Sequence, residues 1–166
     1  MTQIWKLFRT ILPLSAAVFI GVGVSTVPLE VRAAGNPEAA PPKTAARDFK
    51  AGRSAVYAGR YDTAIRLMKR VVAEEPKNAD AHNYLGFSYR KTGKLELAAA
   101  SYKRVFAIDA NHKGALEYQG ELFLKLGDVA KSRQNLAKLE KLCPRGCKEL
   151  NMLRKAINTH NTSRGS

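Results

Sequence analysis

Two cysteines and three histidines are the residues of this chain best suited to redox or metal chemistry. Cys143-Pro144-Arg145-Gly146-Cys147 sets two thiols four positions apart, with a proline and a glycine able to make the turn that brings them together. That spacing serves a disulfide, a thiol redox centre or a soft-metal site of the kind found in copper-handling proteins. Metal capture usually needs a third or fourth ligand, and His82, His112 and His160 are scattered along the chain. Thiol redox chemistry usually rides on a βαβ fold, for which the chain has no pattern. No Ser, His and Asp constellation, phosphate-binding glycine loop or paired carboxylate site occurs. The residues therefore predict no enzyme, no cofactor and no metal.

The formal charge of +14 predicts acidic partners: nucleic acid, anionic lipid, an envelope polymer or an acidic protein. The N-terminus narrows that choice. Lys6 and Arg9 precede an uncharged apolar stretch from Ile11 to Val27, and Val31-Arg32-Ala33 ahead of Ala34 offers the residues a signal peptidase reads. Residues 1–33 are expected to be a cleavable secretory signal, with a retained membrane anchor as the alternative. At roughly 17 residues the stretch is at the lower limit for a span, and Pro13 and Pro28 weigh against one. Export, most simply to the periplasm, would take the chain away from DNA and RNA, so nucleic acid is disfavoured as a partner. In an exported chain, two cysteines and no third read as one disulfide, Cys143–Cys147. Closing so short a loop adds about 2 kcal/mol by the chain-entropy estimate.

The elements that would hold these residues follow from a repeat. Residues 34–46 are rich in Ala and Pro and read as a tether. From Arg47 the chain aligns with itself at a shift of 34 residues: Gly52, Gly86 and Gly120 share a register, as do Gly59, Gly93 and Gly127, and Ala64, Ala98 and Ser132. In the best-formed copy, Asp80 to His112, Leu85 and Tyr89 lie on one helical face with Gly86 between them, Gly93 supplies the turn, and Ala98, Tyr102, Val105 and Phe106 line a second helix. Cys147 to Ile157 places Leu150, Leu153, Ala156 and Ile157 on one face and reads as a helix capping the last copy. Residues 158–166 show no apolar pattern and are expected to be a disordered tail.

The spacings L-G-x-x-Y and A-x-x-x-Y at Leu85, Gly86, Tyr89, Ala98 and Tyr102, with the period of 34, resemble the tetratricopeptide repeat (TPR). The resemblance implies an all-α, right-handed α-solenoid of three helix-turn-helix repeats plus the capping helix, over residues 47–157. It implies a non-enzymatic scaffold or adaptor that binds a protein or peptide segment in a concave groove. The family's groove-facing positions fall on Phe49, Arg53 and Val56, then Asn83, Phe87 and Arg90, then Glu117, Glu121 and Leu124. An aromatic beside an arginine would anchor an amphipathic or acidic segment at the first two repeats, and the two glutamates a basic one at the third. The Lys and Asn clamp of the cytosolic chaperone-binding members is missing here. Arg66, Lys69, Arg70, Lys103, Arg104, Lys131 and Arg133 fall on second helices, which in the family face outward. A basic convex face that holds anionic membrane or envelope polymer is thus the second reading, and the Cys143–Cys147 redox or copper role the third.

Overall fold

The architecture repeats a single turn chemistry three times. The computed structural model describes residues 43–165, and the side chains of 44–163. The expected signal and most of the Ala/Pro tether lie outside them. Seven helices follow in order: α1 Lys43–Tyr57, α2 Tyr61–Glu74, α3 Ala79–Lys91, α4 Leu95–Ile108, α5 Lys113–Lys125, α6 Val129–Leu142 and α7 Lys148–Gly165. Within each pair the first helix ends on a glycine with positive φ: 70° at Gly59, 77° at Gly93 and 78° at Gly127. A side chain there would be strained, which is why this column is glycine. At each turn the amide after the glycine reaches back five residues, Arg60 to Ala55, Lys94 to Tyr89 and Asp128 to Phe123, at 2.8–2.9 Å. That bond closes the last turn of the helix and aims the chain back along it.

Second helices start with a small buried residue against their partners: Ala64, Ala98 and Ser132 are fully covered. Close packing in the second repeat depends on a glycine. A Cβ on Gly86 would stand 2.5 Å from the ring of Tyr102, so glycine is what lets α3 and α4 meet over a fully buried tyrosine. Gly52 meets Met68 in the same way in the first repeat. In the third, Gly120 is covered by Leu153 of α7 rather than by α6.

Successive repeats are joined by polar caps. Asn78 Oδ1 accepts the Ala81 N–H at 2.9 Å, and His112 Nδ1 accepts the Ala115 N–H at 3.1 Å. With Nδ1 so engaged, the neutral His112 ring carries its proton on Nε2 and gives it to Asp80 Oδ1, 3.0 Å away in the preceding repeat. Arg70 of α2 donates to Asp48 Oδ2 of α1 at 2.7 Å, and this bond holds the Asp48 carboxyl below its usual range.

α7 packs on α5 and α6 through Leu150, Leu153 and Ile157, which share a core with Leu116, Leu124 and Leu139. The expected capping helix is therefore present, and it is longer than expected. Residues 158–165, read as a tail without structure, continue α7 to Gly165. Extending a helix already nucleated adds a bond for each residue fixed, so apolar periodicity is not needed there. At the other end α1 begins at Lys43, inside the expected tether, because Ala45 is buried with 1% of its surface exposed.

Candidate binding groove

The first helices α1, α3 and α5 carry the nine groove positions, and the structure sorts them by exposure. Arg53 is exposed, while Phe49, Phe87 and Glu121 are partly covered; Val56, Asn83, Arg90, Glu117 and Leu124 are buried. Phe49 packs edge-on to Tyr84, with ring centres 5.8 Å apart. Phe87 sits between Tyr61 and Tyr118, at 6.0 and 4.7 Å, with the Arg90 guanidinium 5.3 Å from its ring centre. The aromatic beside an arginine expected at this point is thus formed.

Its charge is committed, however. Arg90 is 3% exposed and its Nη1 is ion-paired with Glu121 of the next repeat. The expectation that Arg90 meets an acidic ligand while Glu121 meets a basic one is corrected accordingly. A buried guanidinium needs an internal partner, and Glu121, 31 positions on, supplies it. Glu117, one turn before Glu121, has no such ion pair among the described residues. Burial foremost, and then the charge of Glu121, push its carboxyl up to about 8, with Arg90 acting in the opposite direction. Burial likewise pushes the neighbouring Tyr118 hydroxyl up to about 12.

α7 supplies a wall that the nine positions do not include. Between it and the first helices runs an open groove of about 810 Å³. Arg90, Glu121, Leu124 and Lys125 line one side, and Met152, Lys155, Ala156, Thr159, His160 and Ser163 the other. Leu124, Met152 and Ala156 give it an apolar floor, and Lys125, Lys155 and Glu121 a charged rim. Met152 is 40% exposed, an uncovered apolar side chain where α7 enters the groove. Cys143 and Cys147, at the entry to α7, lie at disulfide distance with Cα atoms 5.8 Å apart. The described residues contain no group of three or more His, Cys, Asp and Glu side chains suited to a metal. No described helix is long and apolar enough to cross a membrane.

The sequence profile of the tetratricopeptide repeat matches residues 49–112 and 88–146. The chain belongs to the tetratricopeptide repeat family. No curated protein matches it in sequence. Among solved structures, the first TPR of Spaghetti (RPAP3), bound to an HSP90 peptide, is 19% identical, covers 70% of this chain and 92% of its own, and superposes with a TM-score of 0.62. The Yersinia enterocolitica type III secretion translocator chaperone SycD is 17% identical over 74% of this chain and 96% of its own, with a TM-score of 0.64. PcrH, in complex with the chaperone-binding region of PopD, is 20% identical over 73% and 92%, with a TM-score of 0.60. At these identities the likeness is one of fold.

In this TPR stack the residues that sequence reasoning missed are Tyr84, Tyr118 and the far wall of the groove. Tyr84 and Tyr118 are 34 positions apart, one step from Asn83 and Glu117, so the repeat register carried a signal for them. Thr159, His160 and Ser163 lie in the stretch read as a tail, where no periodic pattern marks them.

Proposed function

We propose that this TPR protein is a non-enzymatic binding module of the cell envelope that holds an extended polypeptide segment in the groove between its first helices and α7. The observation that carries the reading is the groove itself: open, apolar along its floor at Leu124, Met152 and Ala156, and rimmed by charge. A segment laid there would bury Met152 and keep its own polar groups at the rim, as recognition grooves do. HSP90 peptide and PopD complexes of structurally similar TPR domains show that this fold accommodates polypeptide segments. The envelope location rests on the basic and apolar N-terminus, which has the form of a secretory signal.

A photo-crosslinking residue at Met152 tests the reading against the same residue at Leu97, an exposed apolar side chain on α4. We expect a discrete protein adduct from position 152 and none from 97. Equal crosslinking at both positions would refute the groove. A second reading is favoured by the second helices, α2, α4 and α6, which carry nine Lys and Arg against four acidic residues. Lys69, Lys103, Arg104 and Arg133 among them are exposed and suit anionic lipid or polymer. Vesicle binding that disappears between low and physiological salt, with no adduct at position 152, would favour it.

A further inference from the structure

A second, more enclosed cavity of about 220 Å³ lies on the concave side between the second and third repeats and the start of α7. Two of its lining residues end in acceptor oxygens that have no hydrogen-bond partner among the described residues, Glu117 Oε1 and Asn83 Oδ1. Both residues are buried, at 2% and 5% exposure. Leaving a buried acceptor unpaired is costly, and a donor entering the cavity would recover that cost. The charge of the lining points the same way. In a chain of net charge +14, this cavity gathers three acidic side chains, Asp80, Glu117 and Glu149, against one ammonium, Lys148. His112 is also there, and as a neutral ring it gives its proton to Asp80.

Among the described residues, the protein's own cations do not fill the site. Arg90 is taken by Glu121, and Lys148 is exposed, with no ion pair to Glu117 among the described residues. Tyr57, Gly114 and Met152, which also borders the groove, complete the lining with Tyr84 and Tyr118, whose rings can attract a cation. We propose that this cavity is a subsite for a primary ammonium group: a lysine side chain of the bound segment enters it, donates to Glu117 Oε1 and Asn83 Oδ1, and packs its stem on the tyrosines. The inference rests on the reading of the concave face as a polypeptide-binding surface, and it specifies one residue of the ligand. A lysine stem suits the geometry because its ammonium is a compact group with three donors.

The test is a backbone amide NMR titration of the full chain with three probes: N-acetyl-lysine methylamide, N-acetyl-norleucine methylamide and n-butylammonium. The lysine amide is expected to shift Asn83, Gly114 and Glu117 saturably, and the norleucine amide to leave them unmoved. Glu117→Gln, which keeps the shape and removes the carboxyl that an ammonium would hold in its ionised form, should weaken lysine-amide binding at least about tenfold. Equal shifts from the lysine and norleucine amides, or none from either, overturn the proposal, and that comparison needs no variant. n-Butylammonium binding more tightly than the lysine amide would overturn a side chain as the source and assign a free amine. Failure of the subsite is distinguishable from failure of the groove. An adduct at Met152 that persists in Glu117→Gln, with no lysine-amide shifts, removes the subsite alone; lysine-amide binding with no adduct removes the groove alone.

Discussion

The second and third repeats share a sequence register and close in different ways. In the second, α4 contributes four buried residues, Ala98, Ser101, Tyr102 and Val105, and Tyr102 covers Gly86 of its own repeat. In the third, α6 buries only Ser132 and Leu139, Leu136 at the Tyr102 position is half-buried, and Gly120 is covered by Leu153 from α7. The last repeat has thus handed part of its packing to a helix outside the repeat. A terminal repeat lacks a neighbour, and α7 supplies one. Because α7 runs on past Ile157, the same helix that closes the stack also builds the far wall of the groove.

The sharpest way to break this comparison is to truncate the two equivalent residues. Tyr102→Ala should cost about 3–5 kcal/mol and Leu136→Ala about 1 kcal/mol in denaturant unfolding, since only the first leaves a fully enclosed cavity. Equal costs would mean that α6 closes its repeat as α4 does.

The next column is Asn83 and Glu117, neutral in the second repeat and acidic in the third. The folded protein holds the Glu117 proton more tightly than the unfolded chain, with the carboxyl raised from 4.5 to about 8. Its contribution to stability is therefore fully present below about 4.5 and is lost as the pH rises through about 8. The loss is roughly a few kcal/mol at most. Melting temperatures of the wild type and Glu117→Gln between pH 5 and 9 check this: the variant's curve should be the flatter, and parallel curves would contradict it.

Glycine substitution comes next in size. Gly86→Ala should destabilise by about 1–3 kcal/mol, because the buried Tyr102 ring cannot move aside. Gly120→Ala should cost less, since Leu153 is a flexible side chain on a terminal helix. The smallest effect should come from reducing Cys143–Cys147, at about 2 kcal/mol or less. It should loosen α7 in hydrogen exchange and leave α1 to α4 unchanged.

The helix pairs were legible because each depends on local chemistry that the period of 34 repeats: a glycine that must take positive φ, a small residue at close approach, an apolar stripe. The groove was legible as positions and obscure as chemistry. Arg90 reads as a free cation until the fold brings Glu121 beside it, and nothing local to either residue announces the pair. The extent of α7 was hidden for another reason. Thr159 to Gly165 follow no apolar pattern, and the helix continues there because Leu150, Leu153 and Ile157 have already anchored it.

The two roles of α7 separate at Asn158. A chain ending there keeps Leu150, Leu153 and Ile157 in the core and loses Thr159, His160 and Ser163 from the groove wall. Crosslinking from Met152, measured beside thermal melting, tests the account most directly. It predicts a melting temperature close to that of the full chain and an adduct that is lost or strongly reduced. An adduct of undiminished yield in the shortened, folded chain would contradict it.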